Sequence, residues 1–97
     1  MLFAVTCTDR LGARRIRVDN RQAHLDWAGA EDSPVKMAGP LIGPDGEPVG
    51  SLLIVEAADE KALREILKAD PYALAELFAE VFWIPFKWTV KPPRDLK

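Results

Sequence analysis

The sequence predicts an α+β domain of four strands and two helices in the order βαββαβ. It forms one antiparallel sheet with both helices on one face. Three observations predict it. Strand-like runs with a period of two alternate with segments of helical spacing along the 97 residues. The run Gly50-Ser51-Leu52-Leu53-Ile54-Val55-Glu56-Ala57 is apolar on both faces, as expected of a strand covered on each side. Helix starts are marked by Asp59 before a charged, periodic segment and by Asp70-Pro71 before a short one.

The composition fits one globular domain, here taken as residues 1–90 with a loose tail at 91–97. The chain is 48% hydrophobic and 29% charged, and its net charge of -2 leaves no basic footprint for nucleic acid or an anionic membrane. No apolar run approaches the roughly 20 residues of a membrane span. Met1-Leu2-Phe3-Ala4-Val5 has neither the basic leader nor the long apolar region of a signal peptide, and reads as a first strand. The single cysteine, Cys7, suits a reducing cytoplasm. With one His and one Cys, no His/Cys zinc site can be assembled, so neither metal nor cofactor is expected.

Residues 2–8 form the first strand, with Phe3, Val5 and Cys7 on one face and Leu2, Ala4 and Thr6 on the other. Asp9 is read as the N-cap of a helix from Leu11 to about Ala30. Its inner stripe is taken as Leu11, Val18, Leu25 and Ala28, with Arg14, Arg17, Arg21 and His24 along one edge and Ile16 and Trp27 on the other side. Residues 35–42 form the second strand, in which Pro40 argues for a sheet edge or for a strand that bends there. Asp45-Gly46 is the tight corner before the 50–57 strand. The second helix spans 60–68, turning Ala62, Leu63, Ile66 and Leu67 inward. A short helical turn follows from Tyr72 to about Phe78. The last strand covers roughly 80–90, with Phe82, Ile84, Phe86, Trp88 and Val90 on one face and Val81 and Trp83 on the other. The order is the split pattern of a ferredoxin-like sheet. Two helices cover one face, and the apolar opposite face calls for a second copy of the chain, a homodimer with its sheets face to face.

Only His24 has an ordinary pKa near neutrality. It reads either as a general acid/base at a pocket rim or as a histidine that merely packs. Asp70 reads first as a helix cap, whose second oxygen would remain free to orient an imidazole. Arg17 and Arg21 could hold a substrate carboxylate or form solvated surface pairs. Cys7 reads as a small buried hydrophobe rather than a nucleophile. Ser51, after a glycine at a strand start, suits a turn or a substrate hydrogen bond.

Taken in order, Arg21-Gln22-Ala23-His24-Leu25-Asp26-Trp27, Ala38-Gly39-Pro40-Leu41, Gly50-Ser51-Leu52-Leu53-Ile54-Val55, Ala69-Asp70-Pro71-Tyr72 and Ile84-Pro85-Phe86 resemble the YciI-like (YCII-related) family. The resemblance runs from the first strand to about Val90. It implies a ferredoxin-like dimeric α+β barrel, with His24 and Asp70 as a His-Asp dyad and Arg21, Gly39, Pro40 and Ser51 lining the same cleft. Two departures stand out: Glu76 occupies a position where the family commonly has glycine, which would alter a pocket wall, and the loop from Gly29 to Lys36 is rather acidic. The function expected is cofactor-independent proton transfer, of isomerase or lyase type, on a small organic compound. The alternative is a small-molecule-binding or accessory dimer module without catalysis.

Overall fold

The computed structural model describes residues 1–92. Its elements are β1 (Leu2–Asp9), α1 (Arg14–Ala28), β2 (Val35–Ile42), β3 (Pro48–Glu56), α2 (Glu60–Lys68), α3 (Pro71–Leu74) and β4 (Phe78–Phe86). The four strands form one antiparallel sheet in the order β2-β3-β1-β4. The fold class is therefore the α+β, ferredoxin-like one that the alternation of periods predicts. Of the tail expected at 91–97, residues 93–97 lie outside the described residues.

Both edge strands carry a proline, Pro40 in β2 and Pro85 in β4. A proline has no N–H to give to a ladder, so an edge is where it is tolerated. The pairs Val5↔Leu53 and Cys7↔Ser51 put one parity of the central strands under the helices. There Phe3, Val5, Leu53 and Val55 form the core with Leu63 of α2, and Trp27, Ile66 and Trp83 pack against it. Gly50 admits no side chain: a Cβ would sit 2.2 Å from the Cys7 carbonyl oxygen.

The α2 signals act as expected. Asp59 caps the helix by accepting from the Ala62 N–H at 2.8 Å, and Leu63 is fully buried. The reading of α1 is corrected in two ways. The helix begins at Arg14 after a left-handed Gly12, with no side-chain cap, because the Asp9 carboxylate is taken by Arg17. Its inner face is Ala13, Arg17 and His24, with Ile16 and Trp27 half-buried beside them, while Leu11, Val18 and Leu25 are exposed. A periodicity built on apolar residues picks the wrong stripe when the polar residues turned inward have partners of their own.

β4 starts two residues earlier than expected and ends at Phe86, so Trp88 and Val90 fall outside the sheet. Its parity is settled by Val5↔Trp83: Trp83 faces the helices, where Arg64 lies over its ring at 5.4 Å. Phe82 and Ile84 face the open side, 68% and 66% exposed. The turn after Asp70 is shorter than expected. It closes at Glu76, whose φ of 59° is left-handed. A residue with a Cβ pays about 1–2 kcal/mol there. Glu76→Gly should therefore raise the stability measured by urea unfolding by about 0.5–1 kcal/mol, once the flexibility of glycine in the unfolded chain is counted. Glu76 does not line the cleft described next, so the departure bears on stability and not on a pocket wall.

Candidate active site

Between α1 and the β2–β3 edge of the sheet lies a cleft of about 480 Å³, within the usual range for small-molecule sites. Four of the residues expected in a site, Arg21, Gly39, Pro40 and Ser51, line it together with His24; Asp70 stands behind the histidine. Pro40 and Ser51 are cross-strand partners on the helix side of the sheet, whereas Gly39 pairs with Leu52.

His24 Nδ1 lies 2.8 Å from Asp70 Oδ1, with the two side chains 8% and 2% exposed. An ionised carboxylate can only accept, so the proton of this bond sits on Nδ1 and the lone pair on Nε2. Among the described residues Nε2 makes no protein hydrogen bond, leaving it to meet a ligand. The same Oδ1 also accepts from the Tyr72 N–H at 2.9 Å. One oxygen thus both caps α3 and orients the ring, where the sequence reading had assigned these roles to different oxygens. The cap fixes the carboxylate, and the carboxylate fixes the imidazole tautomer.

Two further groups shape the site; sequence reasoning misses the first and gives the second another partner. Tyr72 is buried and stacked on His24, with ring centroids 4.1 Å apart and planes at 14°. Burial raises its pKa, with Arg17 and Arg21 opposing the rise, so the phenol remains a hydroxyl. Its place right after Asp70-Pro71 was the available signal. The second group is Arg17, which donates from Nε and Nη2 to the two Asp9 oxygens at 2.7 and 2.8 Å. Its Nη2 also donates to Ser51 Oγ at 3.0 Å, and its guanidinium lies 4.6 Å from the Tyr72 ring centre. Burial works to lower the Arg17 pKa, but the hydrogen bonds and charge of Asp9 outweigh it and the net shift is upward. Arg17 is therefore a fixed internal cation and is not free to take a substrate carboxylate. Arg21, one turn on, is exposed at the cleft edge and makes no ion pair among the described residues.

Cys7, under this network, is driven from 9.0 to about 12, first by burial and next by the Asp70 charge. A thiol held protonated is no nucleophile. The folded chain keeps this proton more tightly than the unfolded one. Between 9.0 and about 12 the unfolded chain loses it first, so folding stability should fall as pH rises through that window. Urea titrations of wild type and Cys7→Ala across it check this: the variant should lose less stability.

No cluster of three or more His, Cys, Asp or Glu side chains that could hold a metal occurs among the described residues. No helix among them is long and apolar enough to cross a membrane.

The model of the YCII-related domain matches residues 1–87, nearly the whole described structure. The chain belongs to the YCII-related domain family. Among solved structures, this YCII-related chain is similar to the 5-chloro-2-hydroxyhydroquinone dehydrochlorinase TftG from Burkholderia phenoliruptrix AC1100, seen in complex with 2,5-dihydroxybenzoquinone. The two are 32% identical with a TM-score of 0.80, over 90% of this chain and 94% of that one. A second similar structure, Rv0793 from Mycobacterium tuberculosis, shares the fold at a TM-score of 0.52 and 18% identity, over 93% of this chain and 97% of that one. No curated protein matches the chain.

Proposed function

We propose that this protein is a small cofactor-independent enzyme of lyase or isomerase type, moving a proton on a small cyclic, oxygen-bearing substrate. The observation that carries the reading is the buried His24–Asp70 pair at the cleft wall. Likeness to a dehydrochlorinase over most of both chains supports elimination as the reaction type. In this scheme Nε2 of His24 takes a proton from the position next to a carbonyl. The C–H pair becomes the new double bond, and the leaving group departs with its own electron pair. Asp70 stabilises the imidazolium that forms and holds its orientation. Arg21 at the cleft edge balances negative charge gathering on the substrate oxygen. An isomerisation would use the same base and return the proton elsewhere on the ring.

The test is direct. Purified protein is incubated with halogenated hydroxyhydroquinones, following halide release by ion chromatography and quinone formation by absorbance. Enzyme-dependent release of one halide per quinone supports the reading; halide release at the rate of the buffer control, with no enzyme-dependent isomerisation of unhalogenated analogues, sinks it.

The active form is a homodimer in the cytoplasm, joined through the open sheet face as a dimeric α+β barrel. A surface carrying Phe82, Ile84, Met37 and Leu41 in the open is apolar beyond what a monomer commonly shows. Sedimentation equilibrium should give twice the chain mass of 10.8 kDa. Phe82→Glu should shift the mass toward one chain, whereas a wild-type monomer at micromolar concentration would rule the assembly out.

A further inference from the structure

The charges along the cleft are sorted, although the chain as a whole is slightly acidic. At the end near the β2–β3 turn, Arg14 pairs with Asp45 at 3.3 Å, and Glu47 adds a carboxylate to the same lining. In the middle, Arg17 is cancelled by Asp9, and Asp70 is screened from the cleft by the imidazole it holds. Two lining cations remain without an ion-pair partner among the described residues: Arg21 on α1 and Lys36 on β2. They come from opposite walls of the cleft, on the side where His24 offers its ring. The apolar lining there comes from Val35, Ala38, Leu25 and Ala28, without a competing carboxylate. Low-dielectric walls beside two uncancelled positive charges concentrate field on whatever enters between them.

We propose that the cleft takes its ligand as an anion, a small planar ring bearing an ionised oxygen, held between Arg21 and Lys36 beside the His24 ring. This rests on the cleft being the ligand site, and it adds Lys36 as a binding residue and the ionised state of the ligand. The charge already on the ligand is met by the two cations, so His24 need not supply it and stays available as a neutral base. The apolar lining accepts a ring face, and the Tyr72–His24 stack holds the imidazole in place beside it.

The probe is 2,5-dihydroxybenzoquinone, a vinylogous acid that is ionised in neutral solution and is the molecule bound in the similar dehydrochlorinase structure. Hydroquinone, uncharged and of like shape, is the comparison. Calorimetric titration of wild type should show the anion binding more tightly, with an affinity that falls as salt is raised. Arg21→Gln and Lys36→Gln should each weaken the anion about tenfold, the scale of one charge-assisted hydrogen bond. Both should leave hydroquinone unchanged. Arg14→Gln, at the end already neutralised, should change neither. Equal affinity for the two probes, no binding of the anion by wild type, or the same loss in all three variants would overturn the proposal. All three residues are exposed, so thermal melts should match wild type. Because no turnover is measured, the result is separable from the proposed reaction. Anion binding without conversion of any substrate would sink the enzyme and leave this inference standing. Conversion by wild type with Arg21 and Lys36 dispensable for the anion would do the reverse.

Discussion

Asp9→Leu should destabilise the fold by about 3–5 kcal/mol, because it leaves the Arg17 guanidinium buried without its counter-charge. Arg17 is 6% exposed and donates to both oxygens of Asp9 through two hydrogen bonds. Its remaining contacts, Ser51 Oγ and the Tyr72 ring, cannot neutralise it. The double variant Asp9→Leu/Arg17→Met should recover much of the loss, since replacing a buried pair by apolar groups of similar volume is often neutral. Urea unfolding followed by circular dichroism measures both. A single-variant cost below about 1 kcal/mol would mean the pair is solvated and contributes as surface pairs do. The double variant also separates stability from function. Without the guanidinium, Ser51 and Tyr72 lose a common anchor, so ligand affinity should drop even where the fold has been rescued.

That pair marks where sequence reasoning stops. Asp9 stands at the end of a strand and just before a helix, and a local rule assigns it to capping. The actual partner, Arg17, lies in the first turn of the helix, where spacing reads it as a substrate-carboxylate holder or a solvated surface pair. Signals that act locally translated well. Asp59 and Asp70-Pro71 start their helices where expected, and Pro40 lies in an edge strand. Signals that depend on what turns inward did worse. In β4, Val81 and Trp83 on one parity and Phe82, Ile84 and Phe86 on the other are all apolar, so only pairing with β1 decides which meets the helices. The bond between His24 and Asp70 joins positions 46 apart, and no spacing rule reaches that far. Their pairing entered through a family resemblance, and the family itself is shown by the match over residues 1–87. Tyr72 carried no periodic signal at all. It is buried because the cap of α3 turns its ring onto the imidazole.

His24→Ala should lower kcat by about 10²- to 10⁴-fold, the usual contribution of a positioned acid/base group, while the dissociation constant changes by less than about tenfold. The ligand would still meet Arg21, the apolar floor and the sheet edge at Pro40 and Ser51. A histidine that only contacts ligand would give the opposite pattern, an affinity loss of about 1–3 kcal/mol and no chemical change to lose. That outcome, with wild type returning its ligand unaltered, would favour a binding module. Since His24 is buried against Tyr72 and Trp27, alanine leaves a gap, and His24→Gln supplies a variant that keeps more of the volume. Asp70→Asn then isolates the orienting role. Oδ1 both caps α3 and meets Nδ1, so an asparagine that faces Nδ1 with its amide gives up the cap, at a stability cost of about 1 kcal/mol. Its amide can turn an N–H toward Nδ1, favouring the tautomer that carries its proton on Nε2, where the base needs a lone pair. The expected result is a kcat reduced by about 10²- to 10⁴-fold, as when the orienting aspartate of a catalytic triad is amidated. Nitrogen NMR of labelled imidazole should show the change of tautomer directly. If kcat and the tautomer signal both stay at their wild-type values in Asp70→Asn, the carboxylate serves α3 alone and the dyad has no part in catalysis.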